Sequence, residues 1–336
     1  MKILSKRLLV ATLLGSVIVL PGHTASAQEA SEITVRYGAI PEPQLVAKEM
    51  GWFEEALGIP INWVTISGGA NAIAAMQSGS LHIACGVGTP PIAAALSQGV
   101  PLQIFWIQDN APESLAVNPE VATSVADLAG TKVSALVGST MYFALVIALE
   151  KEGLTSRDLE IIDLPIEEAV AAYRRGDIDG AILPHPAIDV LMDEGAQEIM
   201  SPVDRTEKYG YSLFDACVVL EEFAAANPEL LEKWVTVEAR ANDFRNENEA
   251  EAASTIAKAL TIDEATALKG LSVSVQPSAQ EQLDPLWLGA PGSTGSGVAE
   301  AIQITAQFQY DLDRIPALPE NVDSAIDSSF IAKVVE

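Results

Sequence analysis

The 336-residue sequence is poor in the residues that build metal centres. It has two cysteines, Cys85 and Cys217, and three histidines, His23, His82 and His185, the histidines far from one another. There is no C-x-x-C and no His/Cys cluster, so a zinc or haem site has no support and no cofactor is expected. Two cysteines do not make a disulfide framework. Aromatic residues are 6% of the chain, too few for the stacked cages that sugars or quaternary amines require. Basic residues are scarce as well: 19 Lys and Arg stand against 46 Asp and Glu, a formal net charge of -27. Such a chain repels nucleic acid and anionic membranes. Beyond the N-terminus there is no long apolar run, so the rest of the chain is expected to be soluble.

The one apolar run that exists, over 8–20, has 13 residues, short of the roughly 20 that a membrane span needs. Lys2, Lys6 and Arg7 precede it and Ala25-Ser26-Ala27 follows. That order is a secretory signal peptide, with a retained anchor as the lesser reading. No cysteine follows the cleavage site, which argues against a lipoprotein. The mature chain is expected to begin near Gln28 and to be free in the periplasm. It has about 309 residues and a net charge of -30, since the signal carries three basic residues and no acid. That length suits two domains.

The mature chain alternates short β-branched runs with Ala-rich helical spacing. Strands are predicted over 33–37, 61–66, 81–87 and 102–107, and helices over 43–57, 71–77 and 90–98. The pattern restarts with strands over 132–137, 159–163, 178–183 and 198–200 and helices over 141–151, 166–175 and 187–193. After a strand over 212–220 the chain becomes largely helical, over 228–246, 249–260, 263–271 and 297–312. Two β-α series predict an α/β protein with two lobes, each a mostly parallel sheet flanked by helices.

Ligands bind beyond the carboxyl ends of strands in such sheets. Three turns there share one chemistry: Ser67-Gly68-Gly69-Ala70, Gly88-Thr89-Pro90-Pro91 and Gly138-Ser139-Thr140, which opens the helix at Met141. Each is read as a hydroxyl, free N–H groups and the positive end of a helix dipole, an anion site that needs no Lys or Arg. Taken singly, such turns are ordinary helix caps. Spacing alone reaches only a small polar ligand.

These segments, with Tyr37 and Pro41-Glu42-Pro43, Ser97-Gln98-Gly99-Val100-Pro101-Leu102, Asp127-Leu128-Ala129-Gly130-Thr131-Lys132-Val133, Arg175-Gly176-Asp177-Ile178-Asp179-Gly180-Ala181 and Phe214-Asp215-Ala216-Cys217-Val218-Val219, occur in an order that resembles the taurine-binding proteins of the taurine, nitrate and sulfonate ABC importers. The resemblance runs over 33–317. It implies a clamshell of the type II periplasmic-binding-protein kind, a monomer that closes about a hinge and delivers its ligand to a membrane permease. One lobe would hold 28–118 and 213–336, the other 119–212. The crossings would lie near 108–117 and 209–214. The resemblance further implies that Glu42 and Asp215 meet the ammonium of taurine while the helix turns hold its sulfonate. Alkanesulfonates, nitrate, an aminophosphonate or another zwitterion are the alternative ligands.

The sequence departs from the family at one place. Many members carry a Trp that packs on the ligand where this chain has Pro184, in Leu183-Pro184-His185-Pro186. A bulkier ligand, His185, or Trp106 at the end of the fourth strand is expected to fill the gap. The resemblance also brings the strands of Cys85 and Cys217 together. Free buried thiols are the default, with a cross-strand disulfide as the alternative. Some relatives of the fold are enzymes that cleave sulfinates or build thiamine precursors. A thiol nucleophile needs a basic partner, and His82 lies three residues from Cys85, so on a strand the two point to opposite faces. A binding protein is therefore the expectation, not an enzyme.

Overall fold

The computed structural model describes residues 30–335, and the segment read as an export signal, 1–27, lies outside them. The chain lays down β1 (Ile33–Arg36), β2 (Ile61–Val64), β3 (Ile83–Gly88) and β4 (Leu102–Asp109), crosses over, and builds β5 (Ser114–Val117), β6 (Lys132–Ser134), β7 (Glu160–Ile162), β8 (Gly180–Leu183) and β9 (Gln197–Met200). It then returns as β10 (Asp215–Leu220). The first sheet has the order β2-β1-β3-β10-β4 and the second β7-β6-β8-β5-β9. Each lobe thus repeats one plan: parallel strands with a single antiparallel strand in fourth place. The two-lobed α/β architecture expected from the sequence is present. The antiparallel strand is in each case the one that enters from the other lobe.

In the first lobe α1 (Pro43–Glu49), α2 (Trp52–Leu57), α3 (Gly69–Gln77) and α4 (Thr89–Ser97) connect the strands. In the second, α5 (Thr140–Lys151), α6 (Ile166–Arg175) and α7 (Ala187–Asp193) do so, and α8 (Pro202–Glu207) lies on the return crossing. Seven helices follow β10: α9 (Glu221–Ala226), α10 (Pro228–Glu247), α11 (Glu249–Leu260), α12 (Glu264–Val273), α13 (Ala279–Gln282), α14 (Gly297–Asp311) and α15 (Ser329–Val335). Among the described residues no helix is long and apolar enough to cross a membrane. The single helix predicted over 43–57 is two, because the backbone turns left-handed at Gly51. β5, which the sequence reading left in a crossing segment, is a full strand of the second sheet.

The central strands of each sheet, β3 and β10 in the first and β8 and β5 in the second, are largely buried. Ile33, Val35, Ile83, Ile104, Phe53 and Trp234 belong to one core, and Leu115, Val133, Leu145, Leu149 and Ile182 to another. Strands covered on both sides read as continuous apolar runs, as 104–107 of β4 and 115–117 of β5 do. Cys85 and Cys217 are fully buried and joined by a disulfide between β3 and β10. The default of free thiols is thereby corrected: β10 bulges between Ala216 and Val218, which brings Cys217 against Cys85.

Candidate functional site: a charged cleft between the lobes

Parallel strands end, and an antiparallel neighbour begins, at the same edge of a sheet. Arg36 closes β1, Gly88 closes β3, and Asp215 opens β10 beside Gly88. In the second lobe Glu113 stands just before β5, and Pro184 follows β8. All five line one cavity of about 450 Å³ between the lobes. It lies at the switch in strand order between β1 and β3, where α/β sheets open a crevice.

Two helix N-termini face this cavity from opposite lobes. α3 is capped by Gly68, and Ser67, Gly68 and Gly69 line the wall. α5 is capped by Ser139, and Ser139, Thr140 and Met141 line the other side. The first N–H groups of each helix have no intrahelical acceptor, so both ends present donors and a positive dipole to an anion. The hydroxyls of α5 are committed elsewhere: Ser139 donates to the Leu136 carbonyl at 2.6 Å and Thr140 donates to Glu113.

The third predicted turn does not work this way. Thr89 is the first helical residue of α4, with Gly88 as the cap. Its N–H and its hydroxyl both donate to the Phe214 carbonyl, each at 3.0 Å. Pro90 and Pro91 have no N–H, so α4 has no donor left in its first turn. Thr89 is buried behind the cleft and fastens the returning chain instead, and Pro90 is buried beside it.

The cleft also carries charge that the sequence reading missed. Arg36 donates from Nε to the Ile66 carbonyl at 2.9 Å and from Nη1 to the Cys85 carbonyl. Burial works against its charge, and Asp215 and then Glu42 support it. Asp215 is half-buried on the cleft wall. Burial, with Asp109 and Glu113 nearby, pushes its carboxyl well above the usual carboxylate range, against the opposing pull of Arg36 and Arg205. An ammonium beside it would relieve that strain.

Glu42 sits one layer deeper. Its Oε2 accepts from Gln108 Nε2 at 2.8 Å, and its Oε1 is buried without a partner among the described residues. Burial pushes its carboxyl well up, helped by Asp109, Glu238 and Asp215. Gly38 stands between it and the cavity, since a Cβ at Gly38 would lie 2.8 Å from Oε1. Trp106, offered above as an apolar ligand contact, is core: it pairs with Cys217 across the strands and is 1% exposed. His185 is likewise buried, with Nδ1 2.7 Å from Asp189 Oδ2. Pro184 itself lines the cleft. Of the predicted site residues, Ser67, Gly68, Gly69, Ser139, Thr140, Met141 and Asp215 meet in the cavity, whereas Glu42, Thr89, Pro90, Trp106 and His185 do not line it. The sequence signal for Arg36 was limited to a lone cation near the end of the first strand.

The lobes also touch outside the cavity lining. Lys269 of α12 pairs with Asp189 of α7, and Phe308 of α14 packs edge-on against Phe143 of α5 at 5.1 Å.

A family model described as NMT1/THI5 like matches residues 42–252, and the chain belongs to that family. It is 27% identical over 310 residues to the taurine-binding periplasmic protein of Escherichia coli strain K12, covering 90% of this chain and 93% of the relative. Among solved structures, the alkanesulfonate-binding protein SsuA from Xanthomonas axonopodis pv. citri, bound to MOPS, matches with a TM-score of 0.75 at 21% identity. That match covers 89% of this chain and 99% of the other. The desulfurization enzyme DSZB matches with a TM-score of 0.61 at 16% identity, over 91% and 99% of the two chains. The fold alone therefore does not separate binding from catalysis.

Proposed function

We propose that the protein is the periplasmic solute-binding component of an ABC importer and that it captures a small amino-sulfonate, taurine or a near relative, by closing its lobes. One observation carries this reading. The interlobe cavity is lined by helix N-termini from both lobes, and Asp215 lines it as well. A sulfonate suits main-chain donors, and an ammonium suits a carboxylate that is otherwise crowded by Asp109 and Glu113. The taurine-binding relative supports the same ligand class. Closure would turn on the two crossings, after β4 and before β10, and the closed form would be presented to a membrane permease by a monomer.

Catalysis is the weaker reading. The thiol it would need, Cys85, is buried and bonded to Cys217. The nearest imidazole, His82, accepts the Thr34 N–H at Nδ1, 2.8 Å away.

Calorimetry with taurine, hypotaurine, isethionate and ethanesulfonate tests the proposal. Taurine should bind, and ethanesulfonate, which lacks the amine, should bind at least about tenfold more weakly, a difference of about 1.4 kcal/mol. Equal affinity for the two would remove the role given to Asp215. No binding by any of the four would remove the ligand class.

A further inference from the structure

A ligand with one sulfonate and one ammonium leaves Arg36 without a task. Its guanidinium is held in a fixed plane by the carbonyls of Ile66 and Cys85. Nη2 has no hydrogen-bond partner, and no carboxylate forms an ion pair with the group, among the described residues. Yet Arg36 lines the cavity. The room it occupies exists because residue 86 is glycine. A Cβ there would lie 2.8 Å from Arg36 Nη1, and the backbone at Gly86 has φ +70°. A largely desolvated guanidinium held this way is preorganised for a planar anion, and the two-pronged match is to a carboxylate.

The placement of the charges narrows the ligand further. Arg36 and Asp215 stand on the same lobe, at the ends of β1 and β10. Both stand over β3: a Cβ at Gly86 would lie 2.8 Å from Arg36 Nη1, and a Cβ at Gly88, two residues along the same strand, 3.0 Å from Asp215 Oδ1. They present a positive and a negative group side by side, which suits a carboxylate and an ammonium borne on one carbon. Taurine carries its two charges at opposite ends of a two-carbon chain. Across the cleft, the first turn of α5 offers main-chain donors with no basic side chain beside them. That arrangement favours a second anionic group that is large and diffuse.

We propose that Arg36 is a carboxylate-binding residue and that the ligand is an α-amino acid with a terminal sulfonate. The amino-acid end lies on Arg36 and Asp215 of the first lobe, and the sulfonate lies on the N-terminus of α5 in the second. The proposal rests on the amino-sulfonate reading above and specifies its substrate.

The test compares cysteate (2-amino-3-sulfopropanoate) with taurine by calorimetry, on the wild-type protein and on Arg36→Gln. The wild type should bind cysteate at least about tenfold more tightly than taurine, as one charge-assisted contact implies. Arg36→Gln should cost cysteate far more affinity than taurine and bring the two to within about threefold of each other. A wild type that prefers taurine, or does not discriminate, overturns this proposal and leaves the amino-sulfonate reading standing. That comparison needs no variant, so it holds even if Arg36→Gln fails to fold. A variant that weakens both ligands equally would make Arg36 a structural residue and also overturn it. Binding of neither compound by the wild type sinks both readings.

Discussion

Arg205 of α8 donates from Nη1 to the Glu113 carboxylate at 3.1 Å, and both side chains are buried. Its Nη2 also holds the carbonyls of Asn110 and Ala111. One guanidinium thus ties the return crossing, where α8 lies, to the outward crossing, where Glu113 stands. Glu113 in turn accepts the Thr140 hydroxyl at the start of α5. The two crossings and one wall of the cleft are a single hydrogen-bonded unit.

Removing Arg205 leaves Glu113 buried and unpaired. Arg205→Ala should lower the unfolding free energy by about 3–5 kcal/mol, the usual cost of orphaning one partner of a buried pair. Urea titration measures it. Arg205→Lys should recover only part of the loss, because an ammonium cannot fork to the carboxylate and two carbonyls at once. A loss below about 1 kcal/mol for the alanine variant would show that the crossings are held by other contacts.

Gly88 faces Thr140 of the other lobe across the cleft. A Cβ at this position would lie 2.5 Å from Thr140 Cγ2 and 3.0 Å from Asp215 Oδ1. Gly88→Ala should therefore wedge the cleft open and weaken ligand binding by at least about tenfold, about 1.4 kcal/mol. Thermal unfolding without ligand should be little changed, since the clash with Thr140 disappears when the lobes part and the Asp215 contact needs only a shift of that side chain. Small-angle scattering with ligand should then show a larger radius than the wild type gives. Unchanged affinity would mean that closure does not bring Thr140 onto Gly88.

Glu238 makes stability depend on pH. Its Oε1 accepts from Gln44 Nε2 and from Trp234 Nε1, yet burial pushes its carboxyl up to about 7. A carboxyl that is raised in the folded state binds its proton more tightly there than in the unfolded chain. Its contribution is therefore full at about pH 4 and is lost as pH rises to 7, by about 3 kcal/mol over that range. Glu238→Gln keeps both hydrogen bonds and never ionises. The stability of the variant relative to wild type should rise by about 3 kcal/mol between pH 4 and pH 8, read from urea titrations. A difference that stays flat across that range would rule out the raised carboxyl.

The Cys85–Cys217 disulfide closes a loop across a sequence separation of 132 residues. Chain entropy then gives it up to about 5 kcal/mol of stabilisation. The Cys85→Ala, Cys217→Ala double variant should lose a few kcal/mol in urea. Unfolded wild-type protein without reductant should show no titratable thiol, and a count of two would disprove the bridge.

Much of the architecture was legible in the sequence because it follows from local rules. The apolar runs at Ile33, Ile83 and Ile104 read as strands, and the Ala-rich spacing of α5 and α6 read as helices. The cap positions of α3 and α5 were visible for the same reason: a cap is a matter of a few consecutive residues. The third turn looked alike and behaves otherwise, because its donor is taken by Phe214, 125 residues away. Glu42, Trp106 and His185 were placed by likeness to a family, and their side chains turn into layers that periodicity does not resolve. Arg36 was readable as a strand end and passed over, because nothing local says that a cation there faces a cavity.

The order of apolar and polar residues was enough by itself to determine two successive α/β units and the positions of their helix starts, since each depends on neighbours within a turn or a strand. The tertiary structure alone decided which of those features meet. Asp215 and Glu113 reach the cleft because antiparallel strands begin where parallel ones end. Arg36 reaches it because Gly86 leaves room, and Cys85 finds Cys217 because β10 bulges beside β3. Charge, burial and closeness in space are properties of strand order and register, and no stretch of the chain carries them alone.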